Sequence, residues 1–236
     1  MNTVVHKADS RGFADHGWLR SRHTFSFAGY YNPDRVHFGA LRVLNDDRVT
    51  GGRGFGTHPH ENMEIISIPL SGDLEHKDST GRNEVIRQGD VQIMSAGSGI
   101  AHSEYNHNAD QEVQFLQIWV FPKERDIMPR YEQKTYEVAD RTNKLQTVAS
   151  PEGGEALTIN QDAWFNLTKL EKGETLEYKL NKEGNGLYAF VLEGEANIAG
   201  EALNRRDAVG VTDAKQVGLY ADSDTEILLM EVPMEF

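Results

Sequence analysis

Ile68-Pro-Leu-Ser-Gly72, a turn at Ser79-Thr-Gly81, then Arg87-Gln-Gly-Asp-Val91: this order returns as Phe190-Val-Leu-Glu-Gly194, Ala199-Gly200 and Asn204-Arg-Arg-Asp-Ala208. Each block reads as an apolar strand that stops at Gly, a hairpin, and a turn that carries Asp into the next strand. The hairpins differ in length, with Gly72 and Asp90 18 positions apart and Gly194 and Asp207 only 13. The recurrence predicts two copies of one β-unit rather than a single large sandwich.

Outward from the repeat the signal stays β. His37-Phe-Gly-Ala-Leu-Arg-Val-Leu44 and Val113-Gln-Phe-Leu-Gln-Ile-Trp-Val-Phe121 are rich in β-branched and aromatic residues. Asn45-Asp46-Asp47 and Pro122 are expected to turn the chain after them. Gly punctuates residues 51–56 and positions 72, 81, 89, 97 and 99, and long amphipathic helical windows are hard to find. Many short strands with frequent Gly turns predict a closed barrel or sandwich. A boundary between the copies is expected between about 130 and 150, dividing the chain into 1–134 and 135–236.

The 236 residues suffice for one or two domains with a sizeable core. Zero Cys excludes disulfides, thiolate metal sites, iron–sulfur clusters and a Cys nucleophile. The net charge is −13, and residues 151–236 alone hold 17 acids against 7 bases. No positive surface is available for phosphate neutralisation, so direct nucleic-acid binding is not expected. The richest apolar run, Met63 to Leu70, is broken by Ser67 and Pro69 and falls short of a membrane span. With no apolar leader at the start, a cytoplasmic location is the expectation.

All nine His lie between positions 6 and 107. On a strand, His58-Pro-His60 turns two imidazoles to one face, and His102-Ser-Glu104 aims an imidazole and a carboxylate together. Glu64 is a second carboxylate within reach. Either fragment alone is as well explained by polar residues of half-exposed strands. Together they predict a divalent first-row metal site of three imidazoles and one carboxylate.

These residues also carry a resemblance. Gly52-x5-His58-x-His60-x3-Glu64-x7-Gly72 resembles the first cupin motif, with one extra residue before its last Gly. Gly99-x2-His102-x3-Asn106 resembles the end of the second, with Ser95 where cupins often have Pro. Further strings narrow the likeness to the pirin family of bicupins: His23-Thr-Phe-Ser-Phe27, Phe55-Gly-Thr-His-Pro-His60, His76-Lys-Asp-Ser79, Gly99-Ile-Ala-His-Ser-Glu104 and Pro129-Arg-Tyr-Glu-Gln133. They cover roughly residues 11–133 closely and the remainder only through the repeat. The resemblance implies an all-β bicupin, two tandem antiparallel barrels, the second lacking metal ligands. It implies one metal held by His58, His60, His102 and Glu104, with Fe(II) expected and Ni, Zn, Mn or Cu as alternatives. A general cupin template would use Glu64 in place of Glu104. His23 with Phe25, Phe27, Tyr30 and Tyr31 either lines a pocket for a planar substrate or packs the core.

Three activities follow from that resemblance. The first is a quercetin 2,3-dioxygenase-like enzyme that opens the ring of a flavonol with dioxygen, Glu104 accepting the hydroxyl proton as catalytic base. The second is a metal- or redox-sensing regulatory protein that contacts a transcription factor or an enzyme, without physiological turnover. The third is a zinc cupin that binds or isomerises a small ligand.

Overall fold

The computed structural model describes residues Met1 to Phe236. In chain order the strands are β1 (Asn2–His6), β2 (Gly12–Asp15), β3 (Leu19–His23), β4 (Leu41–Val49), β5 (Gly54–His60), β6 (Glu64–Ser71), β7 (Leu74–Asp78) and β8 (Asn83–Ile86). There follow β9 (Asp90–Ser95), β10 (Ile100–Asn106), β11 (Val113–Val120), β12 (Arg130–Thr135), β13 (Gln146–Ser150), β14 (Leu157–Thr158) and β15 (Trp164–Leu170). The last are β16 (Thr175–Lys179), β17 (Asn185–Glu193), β18 (Ala196–Ile198), β19 (Glu201–Leu203), β20 (Ala208–Thr212), β21 (Gln216–Ala221) and β22 (Thr225–Pro233). Two single-turn 3-10 helices, Ala8–Ser10 and Val138–Arg141, complete the set. No helix is long and apolar enough to cross a membrane.

The chain divides into two compact units. One comprises Gly12–His37 and Leu41–Tyr136; the other combines Met1–Arg11, Phe38–Ala40 and Glu137–Phe236. The first unit holds a seven-stranded sheet, β12-β9-β6-β11-β4-β3-β2, and a four-stranded sheet, β5-β10-β7-β8. The second holds β1-β20-β17-β22-β15-β13-β14 and β16-β21-β18-β19. The two four-stranded sheets have the same connectivity, each strand of one lying eleven elements after its counterpart in the other. The predicted repeat is therefore a structural one. Gly72 and Gly194, which close its apolar strands, both take positive φ, 73° and 87°. A Cβ on Gly194 would stand 2.3 Å from the Asp224 carbonyl oxygen, so the tight exit from β17 requires Gly there.

One local expectation fails. Asn45-Asp46-Asp47 does not turn the chain but continues β4, paired with β3 and β11 on either side. All three are buried. Turn propensity is overridden because the inner face of this sheet is polar at that level. Adjacent strands pair His23 with Asn45, Asn45 with Gln117, Gln117 with Ser67, Ser67 with Gln92, and Gln92 with Gln133. Directly opposed residues share a face, so these six form one polar row across six strands.

The second unit fills the equivalent space differently. Its interior holds a cluster of buried apolar residues that includes Leu187, Val191, Val217, Leu219 and Leu229, and Tyr178 in that cluster donates its hydroxyl to the buried Glu231 at 2.8 Å.

Candidate metal centre

β5 is an edge strand, and for that reason it accepts Pro59 one residue before its end. Alternation about Pro59 places His58 and His60 on one face, and antiparallel pairing sets His58 opposite His102 and His60 opposite Ile100. The rings of His58 and His102 lie 4.5 Å apart, those of His60 and His102 4.9 Å, and those of His58 and His60 4.8 Å. One ligand nitrogen from each falls within 4.8 Å of the other two. The three predicted imidazoles therefore converge.

The carboxylates are placed differently. Glu104 belongs to a second tight group, His76, His102 and Glu104, which shares His102 with the first. Its carboxylate is fixed from the opposite sheet: Ser67 Oγ donates to Oε1 at 3.0 Å and Gln117 Nε2 to Oε2 at 2.6 Å. Glu64 is also buried, and it accepts a hydrogen bond from Ser95 Oγ at 2.8 Å. It is in neither group.

Burial sets the charge states. Desolvation, reinforced by the neighbouring imidazoles, lowers His60 to about 4 and His102 to about 3. At neutral pH both rings are uncharged and offer a lone pair. Burial pushes the Glu104 carboxyl above its ordinary range, against the opposing pull of His76, Ser67 and the other imidazoles. Asp47 is driven up to about 7 by burial, with Asp46 and Glu104 adding to the shift.

The donor set fits a first-row divalent ion. His58 Nδ1 lies 2.8 Å from the Gly56 carbonyl oxygen, an acceptor that leaves the proton on Nδ1 and the lone pair on Nε2. His102 Nε2 is buried without any hydrogen-bond partner, an arrangement that costs energy unless something else binds there. A pocket of about 410 Å³, lined by Pro59, His60, Ser79, Gly99 and Ile100 among others, opens beside His60.

Trp119 is a neighbour of the centre that the sequence did not single out, whereas His23 and Phe27 come from the aromatic stretch that it did. Trp119 packs its edge against His60 at 4.9 Å, and Phe27 packs on Trp119 at 5.4 Å. His23 contacts Phe27 in turn, at 5.2 Å. Of the aromatic stretch, Phe25 is core and Tyr31 is 75% exposed. His76 and Asp78, with side chains fully buried, form a pair at 3.0 Å directly behind His102. The signal for this pair was the alternation of Leu74, His76 and Asp78 along β7.

Comparisons with known proteins give the chain its family. The Pirin family model matches residues 4–120, and the model for the quercetinase C-terminal cupin domain matches 147–232. A pirin-like protein of Caulobacter vibrioides is 40% identical over 94% of this chain and 96% of its own length. This chain belongs to the pirin family. Among other pirin relatives, the quercetin 2,3-dioxygenase of Escherichia coli K12 is 42% identical over 97% of this chain and 98% of its own. The crystal structure of the bacterial pirin YhhW from Escherichia coli in complex with nickel(II) superposes with a TM-score of 0.93 at 40% identity, covering 98% of this pirin and 99% of that chain.

Proposed function

We propose that this pirin is a quercetin 2,3-dioxygenase, with His58, His60 and His102 holding its metal and Glu104 serving as fourth ligand and as base. The observation that carries the reading is the pairing of three convergent imidazoles with one buried carboxylate whose two oxygens are already oriented. A bound divalent ion, for which we take Fe(II), would supply the Lewis acidity that binds the flavonol oxygens and the electron transfer that admits dioxygen.

The chain's own residues account for the rest. His60 and His102 are uncharged at neutral pH, so protons do not compete for their lone pairs. Glu104, raised by burial, is a stronger base than an exposed carboxylate and is suited to take the flavonol 3-hydroxyl proton. Ser67 and Gln117 keep it from turning away. Trp119, against His60, offers a flat apolar surface for a planar substrate. Its indole Nε1–H is buried and has no partner in the chain.

The test is anaerobic loading with Fe(II), and in parallel with Ni, Mn, Zn and Cu, followed by quercetin and air. Quercetin loss with carbon monoxide release, in proportion to bound metal, is expected. No metal-dependent turnover with any of the five ions would overturn the assignment.

A further inference from the structure

His76 and Asp78 are buried charged or polar groups that the dioxygenase reading does not use. Asp78 Oδ1 accepts hydrogen bonds from the Thr80 backbone N–H at 2.8 Å and the Thr80 hydroxyl at 2.5 Å, with the Arg82 N–H at 3.4 Å. Its other oxygen, Oδ2, faces His76 Nε2 at 3.0 Å. On the far side of the same ring, His76 Nδ1 stands 3.4 Å from His102 Nδ1. All three side chains are buried.

We propose that Asp78 and His76 are positioning residues: together they hold the proton of His102 on Nδ1 and leave Nε2 open for the metal.

The assignment follows from donor and acceptor counting. A carboxylate oxygen only accepts, so His76 Nε2 carries the proton that points at Asp78. With one proton on the His76 ring, and that proton on Nε2, His76 Nδ1 is an acceptor. Its hydrogen-bond partner, at 3.4 Å, is His102 Nδ1, which therefore donates. His102 Nε2 is left with a bare lone pair, and it is the buried atom with no partner. His58 reaches the same state by a shorter route, through the Gly56 carbonyl. An acceptor behind the ring fixes both tautomer and orientation of a ligating imidazole. His76, which groups with His102 and Glu104 in the second candidate cluster, is on this account a support of the metal site and not a ligand of a second one.

Asp78→Asn tests the inference because it is isosteric and inverts the relay. The donors from Thr80 and Arg82 hold the amide oxygen at the Oδ1 position, so the NH2 group faces His76 and donates to Nε2. His76 Nδ1 then carries the proton, His102 Nδ1 accepts it, and the proton of His102 moves to Nε2, where the metal should bind. The proposal rests on the metal-site assignment, so the experiment reads the two separately. In metal-free, 15N-labelled protein, two-dimensional NMR of the imidazoles is expected to show His102 protonated on Nδ1 in the wild type and on Nε2 in Asp78→Asn. Competition titration with Zn(II) and Ni(II) is expected to show binding at least about tenfold weaker in Asp78→Asn, the usual effect of removing such a support. His76→Asn can turn its amide oxygen to His102 without help from Asp78. In that background Asp78→Asn should change affinity less than twofold.

Unchanged His102 nitrogen shifts and unchanged affinity in a folded Asp78→Asn protein would overturn the relay while leaving the metal site intact. Two Zn(II) per chain, the second lost in His76→Asn, would overturn it in favour of a second ion. Failure of the wild type to bind any metal would remove the site itself.

Discussion

Glu104 is asked to do two things, ligate an ion and take a proton, and its surroundings favour the second. Both oxygens already accept hydrogen bonds, from Ser67 and from Gln117, and its nearest potential ligands are His76 and His102 and not the His58–His60 pair. Glu104→Gln keeps the shape and removes the base. Its amide oxygen still offers a ligand, so metal affinity is expected to fall far less than turnover, which should drop by about 100-fold or more, the usual scale for general base catalysis. His102→Ala, by contrast, is expected to lose the metal and the turnover together. Elemental analysis and quercetin consumption on the same preparations separate the two outcomes. The three imidazoles were legible in the sequence because two-residue spacing on a strand fixes their face. The groups that hold Glu104 were not. Ser67 and Gln117 sit inside Glu64–Ser71 and Val113–Val120, stretches whose apolar content hides which polar residue points inward, and only pairing in three dimensions brings them to the carboxylate.

At the level of elements, what decided between a strand and a turn was the lining of the interior. Asn45-Asp46-Asp47 has turn chemistry but lies in β4, where Asn45 joins the polar row opposite Gln117. Strand β1 is a second case. Nothing in Asn2–His6 announces that its partner is β20, with Asn2 opposite Thr212 and His6 opposite Ala208. The attachment is secured at Asp207: Oδ1 accepts the Ala8 N–H at 2.7 Å, while Oδ2 accepts the Asn204 N–H and the Lys7 ammonium at 2.9 Å each. Burial alone would raise the Asp207 carboxyl, but these donors outweigh it and hold the group below its ordinary value of 3.8. A carboxyl lowered in the folded state contributes stability that is fully present above 3.8 and is lost as pH falls through the lower folded value. Asp207→Asn is therefore expected to lower stability at pH 7 by about 1–3 kcal/mol, the cost of unmade buried and charge-assisted hydrogen bonds. Urea unfolding at pH 7, 5 and 3 checks the sign. The gap between variant and wild type should stay constant from 7 to 5 and narrow at 3.

Across the whole molecule, one β-topology was built twice and only one copy carries the cluster of three imidazoles. The repeat was legible because Gly72 and Gly194 close equivalent strands, and the asymmetry because no His follows position 107. The pairing that brings His58 opposite His102 recurs between β16 and β21 as Tyr178 opposite Val217 and Leu176 opposite Leu219. Leu176, Val217 and Leu219, with Tyr178, stand there where the first unit has imidazoles. The second unit thus serves as an internal control for metal binding. An ion that binds only the folded site raises the free energy of every opening that breaks that site, by about 2.7 kcal/mol at a free concentration 100 times its Kd. Hydrogen exchange of amides in β5, β7 and β10 is therefore expected to slow by up to about 100-fold when Zn(II) is added, the factor that energy represents. Amides of β16, β18 and β21 that exchange through local openings of their own sheet, in the same connectivity but without the imidazoles, should exchange at unchanged rates. Equal slowing of locally exchanging amides in both sheets would mean that the ion acts on the chain through something other than the three imidazoles.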